Sequence, residues 1–420
     1  MTEQLKIARI GHRGDGIADS STGPVYVPFA LPGETVTVEP VGGHPDRRHL
    51  LRVEQASHER AVPICKHFGV CGGCAMQHWS LAEYLLWKRN LVVEALEHAG
   101  LIAPVEPIID AHGRGRRRAT LHAKRGQGNR NGDILEVGYT AQRTHQIIGI
   151  DECPILEPGL KKVIPAAWAI AELVKPAANK PLDIHFTATD SGLDVDMRGA
   201  GPLSTKQTAA MARIADEYRF ARVTRSGELV LQREQPMLKV GRASVPLPPS
   251  AFLQATGEGE AALARLVTGH IGDSKKIKRV ADLFCGVGTF ALRLAETARV
   301  TAIDTENAAI RSLERAVAMT SGLKAVETQT RDLFRSPLMA IELKNYDAVV
   351  FDPPRQGAES TARELALSKV PVVVAVSCDA TTFARDARTL IDGGYQLVSV
   401  TPVDQFRYSH HVELVAKFVR

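Results

Sequence analysis

The segment VVVAVSCDATTF (372–383) places one of the chain's six cysteines, Cys378, directly after an apolar run. The pattern predicts a buried strand that ends at this thiol and a helix that begins just beyond it. Open α/β sheets bind ligands in the crevice outside the carboxyl ends of their strands, and a helix N-terminus lowers the pKa of a nearby thiol. Cys378 is therefore a candidate nucleophile, and a buried, inert cysteine is the alternative.

A carboxyl group near the C-terminus is a candidate general base for the same pocket. Glu413 lies in VDQFRYSHHVELVAKF (403–418), shortly after His410 and His411. If this segment forms a strand beside the Cys378 strand, its carboxylate faces the thiol. Such a pair suits methylation of uracil at C5. The thiol adds to C6, C5 attacks a methyl donor, and the base removes the C5 proton so that the thiol is eliminated.

A glycine-containing loop, DLFCGVGTFA (282–291), predicts a nucleotide site between a strand and a helix. Gly286 and Gly288 let the backbone approach a ligand closely, and Asp304, at the end of the next predicted strand, can hold ribose hydroxyls. Asp332, after the third strand, can bond an adenine amine. Without further motifs, the loop fits a dinucleotide, S-adenosylmethionine or a tight strand-to-helix turn.

The loop FDPPR (351–355) favours S-adenosylmethionine among these ligands. It ends the fourth predicted strand with Asp352 and two prolines, which stiffen an edge that faces a flat substrate. A dehydrogenase has no evident use for such a loop. Arg355 stands where enzymes that methylate an adenine amine usually have an aromatic residue that stacks on the base, which disfavours that chemistry.

Five motifs, in this order, resemble the uracil-5 RNA methyltransferase family: AFLQATGEGE, DLFCGVGTF, FDPPRQGA, SCDATTFARD and VDQFRYSHHVELV. The resemblance implies a class I enzyme in which Cys378 is the nucleophile and Glu413 is the base. It also implies S-adenosylmethionine as the methyl donor, bound by Gln254, Phe284, Gly286, Gly288, Thr289, Asp304, Asp332 and Asp352. The residues RYSHH depart from the proline and threonine that the family commonly has before its histidine.

The stretch CKHFGVCGGC (65–74) brings Cys65, Cys71 and Cys74 together, and Cys153 follows much later, before a proline. The N-terminus lacks the apolar region of a signal peptide and no run approaches a membrane span, so we expect a cytoplasmic protein without a membrane partner. Reduced thiols there argue against a disulfide. Structural zinc sites prefer two close pairs, whereas this spacing is nearer to that of a [4Fe–4S] cluster. Zinc is the alternative, and the family resemblance implies the iron–sulfur cluster on these four cysteines, with an architectural role.

Three domains are predicted in this chain of 420 residues and net charge +5. Short alternating segments with Gly and Pro turns predict a β-barrel at residues 1–57, which resembles the RNA-binding TRAM domain. Residues 58–245 form a central α+β domain with the iron–sulfur ligands, and its helix at 80–100 could pack on the catalytic domain. Residues 246–420 alternate strands and helices, which predicts a Rossmann-like, doubly wound methyltransferase domain.

Seven basic residues and no acidic residue lie in AHGRGRRRATLHAKRGQGNRN (111–131). Such a stretch can neutralise phosphates and stack guanidinium planes on unpaired bases, and a solvated surface is the alternative. We predict RNA contacts from Arg116, Arg117, Arg118, Lys124 and Arg125. The target base must be unpaired or flipped so that C5 and C6 are exposed.

The substrate most consistent with the resemblance is a uridine of 23S ribosomal RNA, methylated by a monomer, and transfer RNA is the alternative. A cytosine-5 RNA methyltransferase also adds a cysteine at C6, but typically carries a second cysteine in the acid–Pro loop, which FDPPR lacks. A non-catalytic, cluster-containing RNA-binding or redox-sensing protein would not need Cys378, Glu413 and a complete methyl-donor site together. RNA uracil-5 methylation is therefore the predicted function.

Overall fold

The structure is a computed structural model and describes residues 2–21, 23–126, 134–177, 180–272 and 276–420. The N-terminal unit contains β1 (Glu3–Lys6), β2 (Arg9–Ile10), β3 (Gly16–Ser20), β4 (Gly23–Val27), β5 (Thr35–Val41) and β6 (His44–Gln55). These strands pair in the order β1-β5-β6-β4-β3-β2. Val36 and Val38, at alternate positions of β5, face one core with Ile7 and Val25. The predicted β-structure is present, and its assignment to a TRAM-like barrel stays a prediction.

Helix α1 (Leu81–His98) follows the cysteine segment. The Ser80 hydroxyl accepts a bond from the Glu83 N–H at 3.4 Å, and Gly100 follows the helix with φ of 70°, the left-handed conformation that commonly ends helices. Val92 and Leu96 of α1 are buried among apolar residues of the C-terminal domain. The helix therefore packs on that domain. The next strand, β7 (Ile109–Asp110), also pairs with the C-terminal sheet.

A mixed sheet and two helices form the central domain, as predicted for an α+β unit. Its elements are β8 (Arg118–Gly126), β9 (Ile134–Thr140), β10 (Ile147–Gly149), α2 (Val163–Val174), β11 (Leu182–Thr189), β12 (Gly192–Arg198), α3 (Thr205–Glu217), β13 (Phe220–Arg225) and β14 (Glu228–Gln232). The strand order is β10-β9-β8-β11-β12-β13-β14, and β12 and β13 run parallel while the other neighbours are antiparallel. Ile170 of α2 packs against Leu121 and Ile184 of the sheet.

A hairpin precedes the C-terminal domain and belongs to it. Strands β15 (Met237–Val240) and β16 (Ala243–Pro246) pair antiparallel, and Val240 and Val245 are buried in the C-terminal core. The boundary of the methyltransferase domain therefore lies before residue 237 rather than at the predicted 245, because the apolar side chains of the hairpin pack there.

Strands and helices alternate through the C-terminal domain. They are α4 (Gly257–Ile271), β17 (Arg279–Leu283), α5 (Ala291–Leu294), β18 (Arg299–Asp304), α6 (Asn307–Ala318), β19 (Val326–Thr330), α7 (Ala340–Leu343), β20 (Ala348–Phe351), α8 (Glu359–Leu367), β21 (Val372–Ser377), α9 (Ala380–Asp392), β22 (Gln396–Asp404) and β23 (Glu413–Val419).

One sheet, ordered β19-β18-β17-β20-β21-β23-β22-β7, forms the centre of this domain. Its strands are parallel except for β23, which lies antiparallel between β21 and β22. Separate apolar cores cover the two faces, so the predicted Rossmann-like doubly wound sheet is confirmed. Among the described helices, none is both long enough and apolar enough to cross a membrane.

Candidate active site

The candidate nucleophile and base meet at the carboxyl edge of the C-terminal sheet. Strand β21 ends at Ser377, which pairs with Leu414 of β23. The next position along this register sets Cys378 beside Glu413. Because β23 runs opposite to its neighbours, its first residue lies at the same edge as the last residues of the parallel strands. The structure therefore brings together two groups that are 35 positions apart in the chain.

The environment of Cys378 holds its thiol in the protonated form. Burial raises the pKa of Cys378 to about 12, and the nearby Glu413 and Asp352 add to this, while Arg355 opposes it. The sequence-based expectation of a lowered pKa for Cys378 is therefore wrong. The carboxylate of Asp379 caps α9 by accepting the N–H groups of Thr381 and Thr382, at 3.0 Å each, and its negative charge also raises the pKa of the thiol.

The surroundings of Glu413 suit a general base. Its side chain is buried, and its Oε1 accepts a bond from Gln405 Nε2 at 3.1 Å. Within the described residues, Oε2 has no hydrogen-bond partner. Burial raises the pKa of Glu413 to about 8, and the carboxyl of Asp352 adds to this, while Gln405, Lys88 and Arg355 lower it. The oxygen left without a partner can accept a proton from a substrate at near-neutral pH.

The predicted donor loop lies after β17, at the same edge. Gly286 and Gly288 have φ of 54° and 96°, and a Cβ at Gly288 would lie 2.5 Å from Leu313 Cδ1. Both positions therefore require glycine. The Gly286 N–H donates to Asp304 Oδ2 at 2.8 Å, so the acidic residue after β18 already touches the loop. Thr289 follows directly at the start of the next turn.

The other predicted donor residues surround this loop. Phe284 has φ of 62° and its ring lies 5.3 Å from that of Phe334, while Asp332 Oδ1 accepts the Phe334 N–H at 3.0 Å. Asp352 follows β20 and accepts a bond from Gln254 Nε2 at 3.1 Å. Burial raises the pKa of Asp352 to about 7. The predicted donor residues that follow β19, β18, β17 and β20 thus lie along the same carboxyl edge of the sheet as Cys378, which follows β21.

A cavity of about 400 Å³ lies between the central and C-terminal domains, and all four remaining candidate ligands line it: Cys65, Cys71, Cys74 and Cys153. The four thiols are free of disulfides. Burial raises the pKa of Cys153 to about 11. Within the described residues, no group of three or more His, Cys, Asp or Glu side chains is arranged to hold a metal ion. The iron–sulfur cluster therefore stays a prediction.

The basic stretch divides into residues with different surroundings. Arg117 is buried, and its guanidinium donates to the Gln254 carbonyl at 2.8 Å and to Glu260 Oε2 at 2.7 Å. Its predicted RNA contact is therefore wrong, because both bonds join it to the protein interior. Arg118 donates to the Leu253 carbonyl at 3.2 Å.

Arg116 and the later basic residues are more open. The Arg116 guanidinium lies 5.7 Å from the ring of Phe406 and lines the cysteine cavity. Lys124 is exposed and Arg125 is partly exposed on β8. Residues 127–131 of the stretch, with Arg130, lie outside the described residues.

Sequence reasoning missed Gln405, which contacts both Glu413 and Gln254. The sequence feature that could have identified Gln405 is its position in the motif VDQF (403–406), shortly before the predicted base Glu413. An amide has no distinctive spacing, however, and its partners come from other elements.

Comparisons with known proteins identify the chain. A family model described as tRNA (Uracil-5-)-methyltransferase matches residues 251–418. An uncharacterized RNA methyltransferase of Brucella suis is 45% identical over 415 residues, which cover 99% of this chain and 97% of that protein. The chain belongs to a family of RNA methyltransferases, and its residues 251–418 belong to the uracil-5 methyltransferase family. The family predicted from the motifs is therefore confirmed for the catalytic domain.

Two further likenesses cover nearly the whole methyltransferase. A protein of Shewanella amazonensis named 23S rRNA (uracil(1939)-C(5))-methyltransferase RlmD is 29% identical over 99% of this chain and 95% of its own length. The crystal structure of the Pyrococcus abyssi tRNA (uracil-54, C5)-methyltransferase in complex with S-adenosyl-L-homocysteine matches with a TM-score of 0.76 and 24% identity, over 99% of both chains. The second likeness establishes the shared fold of the methyltransferase.

Proposed function

We propose that the enzyme methylates C5 of a uridine in 23S ribosomal RNA through a covalent bond between Cys378 and C6 of the base. The observation that supports the proposal is the register of β21 against β23, in which Ser377 lies opposite Leu414, so that the next position along the register pairs Cys378 with Glu413. A nucleophile and a base that share one pocket with the donor loop are the groups that this chemistry requires.

The reaction then proceeds in three steps. The Cys378 thiolate adds to C6, and the electron pair of the C5–C6 double bond moves towards O4 to form an enolate. C5 of the enolate attacks the methyl group of S-adenosylmethionine, which leaves S-adenosylhomocysteine. Glu413 takes the proton from C5, the C6–S bond breaks, and the thiolate leaves with the restored double bond in the methylated base.

The thiol must lose its proton before the first step. Because burial and two carboxyl groups keep Cys378 protonated in the free protein, deprotonation depends on the charges that the substrates bring. S-adenosylmethionine carries a sulfonium cation, and a positive charge near the thiol favours the thiolate. We therefore expect Cys378 to become reactive in the complex with both substrates.

The identity of the RNA is inferred from the likeness to RlmD, which extends over the barrel-like, central and catalytic parts of the chain. Arg116, Arg118, Lys124 and Arg125 are the residues of the basic stretch that remain candidates for RNA contact. Three of them, Arg118, Lys124 and Arg125, are on the strand β8, which borders the cysteine cavity through Ala119 and Thr120. A cation in such a place can neutralise a phosphate.

We propose that the four cysteines of the cavity hold a [4Fe–4S] cluster. Cys65, Cys71 and Cys74 approach from one segment and Cys153 from another, and Asp151 ties the two segments by accepting bonds from Lys66 at 2.6 Å and from His67 at 2.8 Å. A four-iron cluster is wider than a single ion, so thiols on the wall of a broad cavity suit it. When bound, it would supply covalent links between the two segments.

The experiment uses unmodified transcripts of a 23S rRNA fragment and of transfer RNA, with labelled S-adenosylmethionine. We expect the wild-type enzyme to label the rRNA and not the tRNA. Cys378→Ala should yield neither product nor adduct, whereas Glu413→Gln should accumulate methylated RNA joined to protein and stable in denaturing gels. The exposed acid Asp392, changed to Asn, serves as the matched control and should behave as the wild type.

Two results would overturn the proposal. Methylation by Cys378→Ala would exclude the covalent route, and labelling of tRNA alone would exclude 23S rRNA as the substrate. Mapping of 5-methyluridine in the labelled RNA identifies the position that is modified.

A further inference from the structure

Gln405 is the residue that joins Glu413 to the donor side of the pocket. It directly follows β22 and its side chain is fully buried. Its amide makes three hydrogen bonds: Oε1 accepts the Ala255 N–H at 2.9 Å, and Nε2 donates to Gln254 Oε1 at 2.6 Å and to Glu413 Oε1 at 3.1 Å. A side chain at Gly259 would displace this amide, because a Cβ there would lie 2.5 Å from Gln405 Oε1.

The backbone fixes the direction of this network. The Ala255 N–H can only donate, so the atom of Gln405 that faces it must be the oxygen. The amide nitrogen of Gln405 must then face Gln254 and Glu413. Gln254 in turn presents its oxygen to Gln405, which leaves its own nitrogen to donate to Asp352 Oδ2 at 3.1 Å. One backbone donor therefore sets the orientation of both glutamine amides.

The network leaves Glu413 with one carboxyl oxygen that has no partner among the described residues. Glu413 uses Oε1 for Gln405, and its Oε2 is buried without a hydrogen-bond partner in the described parts of the chain. A carboxyl group gripped at one oxygen cannot rotate to exchange its two oxygens without breaking that bond. The hydrogen bond to Gln405 therefore keeps Oε2 as the oxygen that is available to a substrate.

We propose that Gln405 is a positioning residue: by holding Glu413 Oε1 and Gln254 Oε1 together, it aims Glu413 Oε2 at the C5 proton and Gln254 Nε2 at Asp352. The inference rests on the proposed role of Glu413 as the base. It adds a residue that acts through Glu413 and does not touch the reacting atoms. Loss of the hydrogen bond from Gln405 to Glu413 should slow removal of the C5 proton more than addition of the thiol to C6, because the addition step does not use Glu413.

The same grip affects the protonation of Glu413. The ionisable groups that face its carboxyl are Asp352, Lys88, Arg355 and the Cys378 thiol. Asp352 disfavours the charged form of Glu413, and Lys88, Arg355 and the Gln405 amide favour it. Removing the amide donor of Gln405 should raise the pKa of Glu413, because burial and the Asp352 carboxyl raise that pKa and Gln405 lowers it. The pH at which proton removal reaches half its maximum should therefore move upwards.

The test compares Gln405→Met, which matches the length of the side chain and removes its donor, with Gln405→Glu, which keeps an oxygen for Ala255. Single-turnover methylation of the rRNA fragment is followed across pH together with the fraction of enzyme joined to RNA. We expect a fall of roughly 10- to 100-fold in the elimination rate, accumulation of the adduct, and a higher pH midpoint in Gln405→Met. Because Gln405 also holds the predicted donor ligand Gln254, binding of S-adenosylhomocysteine is measured in parallel and the rates are compared at saturating S-adenosylmethionine.

Controls separate this inference from the proposed function. Gln396→Met makes the same change at an exposed position on β22 and should behave as the wild type. If Cys378→Ala stays active, the proposed function fails. If Cys378→Ala is inactive and Glu413→Gln accumulates adduct, but both Gln405 variants turn over with the wild-type pH profile, only the role of Gln405 fails. A slow but folded Gln405→Met enzyme with neither adduct nor pH shift would also overturn it.

Discussion

The ion pair between Lys88 and Asp404 supports the segment that carries Gln405, and its removal should destabilise the protein. Lys88, on α1, donates to Asp404 Oδ1 at 2.5 Å, and both side chains are fully buried. The same oxygen accepts the Phe406 N–H at 3.0 Å. Burial lowers the pKa of Lys88, and Asp404 opposes that effect. The pair thus joins a helix of the central part of the chain to the catalytic edge.

The expected magnitude follows from this burial. Lys88→Met keeps most of the aliphatic chain and removes the charge, which leaves the Asp404 carboxylate buried without a counter-ion. Loss of one partner of a buried pair costs about 3–5 kcal/mol of unfolding free energy. The double variant Lys88→Met/Asp404→Asn removes both charges and keeps an oxygen for the Phe406 N–H. We expect it to lie within ~2 kcal/mol of the wild type, because no buried charge is left unpaired.

Urea unfolding followed by tryptophan fluorescence measures these differences. Trp87 is adjacent to Lys88 and buried, with its ring 6.3 Å from that of Trp79, so the signal reports on this region. The exposed Lys206, changed to Met, is the control and should alter stability by less than ~0.5 kcal/mol. A loss of unfolding free energy below ~1 kcal/mol in Lys88→Met, or a double variant as unstable as the single one, would contradict the predicted role of the ion pair.

Two further predictions concern the base and the cysteines. Burial raises the pKa of Glu413 to about 8, so the fraction of Glu413 in its basic, ionised form increases as the pH rises. The rate of single-turnover elimination should therefore increase between pH ~7 and ~9. An elimination rate that does not change with pH would contradict the role of Glu413 as the base. Anaerobically purified protein should contain iron and acid-labile sulfide. Cys153→Ser or a chelator should remove both and lower the urea concentration at the midpoint of unfolding. Protein that contains neither iron nor sulfide would exclude the cluster.

The alternation of strands and helices after residue 246 was enough to predict the Rossmann-like sheet and the edge at which its loops lie. Hydrophobic periodicity and glycine positions are local properties, so the motifs could be placed on strand ends without knowing what packs around them. The N-terminal strands and α1 were likewise readable. The domain boundary was not, because the hairpin at 237–246 joins the core that its side chains reach in space.

Arg117 and Cys378 show where local reasoning failed. Both were assigned from their neighbours in sequence: a basic run for Arg117 and a helix N-terminus for Cys378. In the structure, Arg117 is buried and forms an ion pair with Glu260. The Asp379 carboxylate accepts an N–H group from the first turn of α9. Two carboxyl groups near the Cys378 thiol raise its pKa. Burial and the choice of partners decide such properties, and neither is visible in a stretch of ten residues.

By itself, the sequence determined the types of chemical group, their order and the strand ends on which they lie, since these depend on local pattern. The tertiary structure alone decided that Glu413 lies beside Cys378, because this depends on β23 entering antiparallel between β21 and β22. It also decided that Gln405 connects Glu413 to Gln254. A hydrogen bond between residues about 150 positions apart exists only when the packing of several elements brings them within 3 Å.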